Sequence, residues 1–248
     1  MALINVGKMD SFAIEAKSAI QKSEPELQSV RSFSRLKEIP DSTASGSFEL
    51  ITSEDQRGLG LRGIQLMRGF EENFQQLFKP THKIYFIAWT WDLNGQPLCL
   101  YPGKGINAKD FIIPEKERND REFTGPEIDL FSKREVRGGM AVRVQLWKSD
   151  KGPREIKQKI ADIAQKIKKS KLNHLLSLVS MSTGITGTTV ALIKEASTEL
   201  SEIIVAILTK NGDDYVDLFE GYFASDQTWN KGQEMYMGNS TNITFAKY

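Results

Sequence analysis

The sequence predicts an α+β fold: an antiparallel β-sandwich with a long helical hairpin inserted between strands and additional helices at the N-terminus. Three observations predict it. His82 to Trp91 reads HKIYFIAWTW, dense in β-branched and aromatic residues that suit a pleated, buried surface. Ile156, Ile160, Ile163, Ala164 and Ile167 recur at helical spacing, and Ala196, Leu200, Ile203, Ile204 and Ile207 repeat the same offsets. Strand character then resumes in DDYVDLFEGYF, EMYMG and NITFAKY.

The chain of 248 residues suits one large domain or two small ones and can bury a sizeable core. Within 1–248 the pattern divides into an N-terminal helical and loop segment, 1–45, a sandwich formed by 46–150 and 211–248, and a hairpin insertion, 151–210. Apolar and charged fractions of 40% and 26% are those of an ordinary globular protein. The 33 basic and 32 acidic residues nearly cancel, so no nucleic acid partner is expected. A single cysteine, Cys99, excludes an internal disulfide, a zinc ribbon and a CxxC redox site. MALINVGKMDSFAIEAK lacks the basic start and apolar run of a signal peptide. Cytoplasmic synthesis is expected, with any release by a signal-independent route.

From the N-terminus, Phe12, Ala16, Ala19 and Ile20 fall on one face of a helix over 10–22, capped by Asp10 or Ser11 and ended by Pro25. The Ser-rich stretch 31–47 reads as loop and SFELIT, 47–52, as a strand. Met67, Phe70, Phe74, Leu77 and Phe78 predict a helix over 64–78, stopped by Pro80. After HKIYFIAWTW, Asn94-Gly95 suits a tight hairpin turn and PLCLY returns as the partner strand. Residues 103–134 are polar, with two prolines, and read as a long surface excursion. In MAVRVQLW, Met140, Val142, Val144 and Leu146 alternate with Ala141, Arg143, Gln145 and Trp147, a half-buried strand.

The helical block carries the functional argument. Arg154, Lys157, Lys159, Lys166, Lys168, Lys169 and Lys171 give the first arm a basic back against Glu155 and Asp162. The arm runs into LNHLLSLVSMSTGITGTTVALI, Leu172 to Ile193, which contains no charged side chain. Ser, Thr, Asn173, His174 and two glycines make this stretch too polar for a permanent transmembrane helix. It fits two short helices meeting at a turn near Gly184 and Gly187. A basic amphipathic helix beside an uncharged tip is the composition of a conditional membrane inserter docking on anionic lipid. An uncharged hairpin also suits a buried core or an assembly interface.

Two functions follow. The first is a non-enzymatic membrane-active protein of the pore-forming or effector-like toxin class. The second is a structural or self-assembling β-sandwich module, a homo-oligomer formed through the hairpin. In either, the contact residues are Lys157, Lys166, Lys168, Lys169 and Lys171, followed by Leu175, Leu176, Leu178, Val179, Met181, Ile185, Val190, Leu192 and Ile193. His174, beside the basic end, is the candidate pH sensor.

Other motifs carry less. Gly58-Leu-Gly60-Leu-Arg-Gly63 matches GxGxxG but lacks the preceding buried strand and the βαβ order of a dinucleotide site, and reads as a flexible approach to a helix. Ser34-Arg-Leu-Lys37 fits SxxK without companion motifs. No P-loop is present, and a nucleophile-histidine site would have to use His82 or His174. No cofactor is expected. Asp92, Asp150, Asp213 and Asp214 flank strands and are candidates for Ca²⁺ if their loops gather at one end, although turns are acidic for local reasons too. Trp89, Trp91, Trp147 and Trp229 suit the core better than a membrane belt.

Overall fold

A computed structural model describes residues 3–7, 48–49, 52–66, 83–94, 96, 98–103, 105–107, 110–113, 121–122, 128–180, 184–185, 187–210, 212–225, 227–238 and 240–248. Within some of these, including 184–185 and 187–195, the description is of the backbone alone. In chain order the strands and helices are β1 (Leu3–Gly7), β2 (Phe48–Glu49), β3 (Arg57–Leu66), β4 (Lys83–Asp92), β5 (Cys99–Tyr101), β6 (Ile112–Ile113), β7 (Arg121–Glu122), β8 (Ile128–Arg134), β9 (Gly139–Ser149), α1 (Pro153–Lys169), α2 (Leu172–Ser180), β10 (Gly184–Ile185), α3 (Gly187–Lys210), β11 (Asp214–Ala224), β12 (Gly232–Met237) and β13 (Thr241–Lys247).

The fold is α+β, with two main antiparallel sheets and a helical hairpin between strands β9 and β11. The first sheet runs β1-β11-β9-β4-β5, with β6 also on β4. The second runs β12-β13-β3-β7, with β8 also on β3. One hydrophobic core joins residues of both sheets and of the helices. Thr90 on β4 donates its hydroxyl hydrogen to the carbonyl of Leu130 on β8, a bond from one sheet to the other.

Strand β9 alternates as the sequence predicts, but all of its positions are buried rather than half of them. Register explains this. Leu146, Val144 and Val142 lie beside Phe86, Ala88 and Thr90, on the face from which Thr90 bonds to Leu130 of the second sheet. Trp147, Gln145 and Arg143 lie beside Tyr85, Ile87 and Trp89 on the opposite face. Tyr85 there bonds to a residue held by the hairpin, so this face is covered as well. Such double burial turns even Gln145 into an interior residue.

The β4–β5 pair keeps the predicted symmetry. Thr90 pairs with Cys99 and Ala88 with Tyr101, a register centred on Asn94-Gly95. Asn94 is further held by Asp92, whose carboxylate accepts from the Asn94 amide at 3.1 Å.

Several expectations need correction. The glycines of GLGLRG do not form a flexible lead into a helix: residues 57–66 are strand β3, and residues 64–66 continue it. Gly58 is required there by close approach. A Cβ on it would sit 2.2 Å from the Tyr248 ring, and Gly58 and Tyr248 exchange two backbone hydrogen bonds. The polar excursion 103–134 contains buried Phe111, Ile112 and Ile113 and the whole of β8. The predicted helix over 10–22, the remainder of the one over 64–78, and His82 lie outside the described residues.

Candidate functional site

The hairpin meets the first sheet at a buried polar junction. Helix α1 starts cleanly because Pro153 occupies its first turn and the Glu155 carboxylate accepts the Gly152 N–H at 3.0 Å. Its last turn carries Lys166, Lys168 and Lys169, favourable at the negative end of the helix dipole. Ile156, Ile160, Ile163 and Ile167 are buried as the stripe predicts. Ser170 ends the helix by donating to the Ile167 carbonyl at 2.8 Å, and it starts α2 by accepting the Leu172 N–H at 3.2 Å.

Lys159 falls on the isoleucine stripe and not on the basic back. Its ammonium donates to both oxygens of Asp213, at 2.6 and 2.7 Å, and reaches Ser149 Oγ at 3.4 Å. Tyr85 donates its hydroxyl hydrogen to the same carboxylate at 2.8 Å. The side chains of Lys159 and Asp213 are 7% and 1% exposed. Burial, then the charge of Asp213 and its hydrogen bond, push the Tyr85 phenol well above its ordinary value, so it remains a donor.

The chain places Asp213 there by a local device. Gly212, at φ +74°, donates its N–H to the Thr209 carbonyl at 3.0 Å, and Asp213 donates to the Leu208 carbonyl at 3.2 Å. These two bonds form a Schellman motif, which ends α3 and turns the chain into β11. The junction thus joins α1, the end of α3, β4 and β9. Its polar atoms answer one another and it is sealed from solvent, which makes it a structural tie.

A second tie holds the far end of the hairpin. Gly184 and Ile185 of β10 pair with Glu49 and Phe48 of β2. The glycine turn is therefore fastened to an earlier part of the chain.

These findings overturn the membrane-active, pore-forming and toxin reading. Among the described residues no helix is long and apolar enough to cross a membrane. Helix α2 is only 9 residues long, and α3 carries Lys194, Glu195, Glu199, Glu202 and Lys210 among its 24. The uncharged stretch is divided between two helices and a paired strand, and Leu172 and Leu175 are core residues.

The remaining predicted contacts divide by exposure. Lys157, Lys166, Lys168, Lys169 and Lys171 face solvent, and Leu178 is half-buried. His174 is exposed on α2. The side chains of Leu176, Val179, Ile185, Val190, Leu192 and Ile193, and all of Met181, lie outside the described residues.

The aspartates do not gather. Asp92 is buried against Asn94 and Arg134, Asp213 answers Lys159, Asp214 sits 3.3 Å from Lys148, and Asp150 follows β9. Among the described residues no three His, Cys, Asp or Glu side chains come together as a metal site. The four tryptophans are buried, as a core role requires. Compared with models of protein families the chain matches none, and comparison with curated proteins gives no significant match.

Proposed function

We propose that this chain is a non-enzymatic structural module, two sheets closed face to face, that self-associates through its helical hairpin. The observation that carries this reading is the fastening of the hairpin at both ends, by Lys159–Asp213 at its base and by β10–β2 at its turn. A surface held in place loses little conformational freedom when a partner binds.

The hairpin carries charges of both signs. Lys166, Lys168 and Lys169 form an exposed basic row on α1. On α3, Glu199 and Glu202 lie one turn apart, half-buried and exposed respectively. Burial first, then the charge of Glu199, push the Glu202 carboxyl up, and Lys171 offsets only part of this. Lysines of a second copy would relieve that repulsion, and a two-fold arrangement would do so twice. The overall charge of +1 offers little resistance to association.

Sedimentation velocity across a concentration and salt series tests the proposal. A species larger than the monomer is expected, weakening as salt rises. Reversal in Lys166→Glu/Lys169→Glu should abolish it, as should Glu199→Lys/Glu202→Lys, and an equimolar mixture of the two variants should restore it. A chain that stays monomeric throughout would sink the idea.

A further inference from the structure

A groove of about 360 Å³ runs between α1 and the loop that follows β5. We infer that it binds a small amphipathic acid, with an apolar body and one anionic head group. Its walls are Ile106 and Phe111 from the loop and Ile160, Ala161 and Ala164 from α1, with Lys157 the charged side chain among the described lining residues. The volume matches about twelve waters at ~30 Å³ each. That places it at the small end of ligand pockets, which are mostly apolar with few polar groups.

The groove has an apolar floor and open small-residue walls. Phe111 and Ile160 are buried beneath it, whereas Ala161 and Ala164 are exposed helix positions that keep the α1 side low. Lys157 lies one helical turn before Ala161, so its stem follows the same edge of α1. Among the described residues no carboxylate pairs with Lys157. Asp110 is the acid among the described residues of the bordering loop. Asp110 itself is tied in by its backbone, its carbonyl accepting the Tyr101 hydroxyl at 3.2 Å. Lys157 thus sets a cation beside an apolar interior, the reverse of what a cation or a sugar would need.

Calorimetric titration with decanoate, decanol and decyltrimethylammonium, each below its aggregation concentration, tests the assignment on the full chain. Decanoate should bind one site per chain, about tenfold tighter than decanol, and the cation should show no saturable binding. Lys157→Gln, at an exposed position, should bring decanoate to the level of decanol and leave decanol unchanged. Ala161→Leu should fill the groove and remove binding of both. Lys166→Glu/Lys169→Glu, which tests self-association, should leave decanoate binding intact. Absence of saturable decanoate binding would overturn the inference, and so would equal binding of the three probes or indifference to Lys157→Gln.

Discussion

Two buried aspartates lie four residues apart where the chain enters β11, and they meet opposite environments. Asp213 points toward the hairpin and finds a cation, with Lys159 bonded to both of its oxygens. Asp217 turns instead to the β12–β13 turn and finds only neutral donors. Its Oδ2 accepts from the Ser240 N–H at 3.0 Å, the Thr241 N–H at 3.1 Å and the Thr241 hydroxyl at 3.0 Å, while Oδ1 accepts from Leu218 N–H at 3.1 Å. One carboxylate fastens the hairpin to the first sheet, and the other fastens the β12–β13 turn of the second sheet to the first. The turn fits tightly, since a Cβ on Gly238 would stand 2.4 Å from Asp217 Oδ2. The contrast is between a buried charge that is neutralised and one that is only solvated by the fold.

The largest expected effect comes from breaking the first. Asp213→Asn leaves the Lys159 ammonium buried without its counter-charge, which typically costs about 3–5 kcal/mol. Urea denaturation should show a loss of that size. The double variant Lys159→Met/Asp213→Asn removes the stranded charge and keeps an acceptor for Tyr85, so it should recover most of the loss. A double variant as unstable as the single one would show that the pair is not the source of the effect.

The two ties were unequally legible in the sequence. The isoleucine stripe is a local signal, and the offsets that reveal it also place Lys159 three residues after Ile156 and four before Ile163. Lys159 was thus readable as an inward residue, although charge alone assigns it to the basic back. Its partner was not readable, because nothing near Asp213 distinguishes an ion-pair partner from a turn residue or a calcium ligand. The same limit applies to β3. Its glycines look like flexibility locally, and the reason for Gly58 is the ring of Tyr248, far along the chain. The pairing of β10 with β2 joins segments of two residues each, too short to leave a period. Those two long-range ties are what remove the tip of the hairpin from the role its composition suggests.

A smaller loss is expected from the second aspartate. Asp217→Ala leaves its donors short of an acceptor and loosens the β12–β13 turn, at a cost of roughly 1–3 kcal/mol for the unsatisfied groups. The charged form of Asp217 is already penalised by burial, which offsets part of what its hydrogen bonds contribute. Hydrogen exchange should locate the change at Ser240 and Thr241 and leave Leu208 and Asp213 protected. Equal loss of protection at both ties would mean that the two halves open as one unit.

The finest distinction between the two is their pH response. Burial raises the Asp217 carboxyl above its ordinary value, against the lowering effect of the four hydrogen bonds. A raised folded value means that the folded chain holds a proton which the unfolded chain has already released. The contribution of Asp217 to stability therefore increases as pH falls from its raised folded value toward the unfolded one, and levels off below. Glu234 has the opposite sign. Burial alone would raise it, but the bonds from Lys247, at 2.6 Å, and from Tyr236 hold it below its ordinary value. Its contribution is present above the unfolded value and is lost as pH falls through the folded one. Urea midpoints measured between about pH 7 and pH 3 should separate the two. The difference between the unaltered chain and Asp217→Asn should move in favour of the unaltered chain on acidification, whereas the difference from Glu234→Gln should shrink. A difference for Asp217→Asn that shrinks as well would mean that its four donors outweigh burial, and that the fold solvates this carboxylate as effectively as Lys159 neutralises the other.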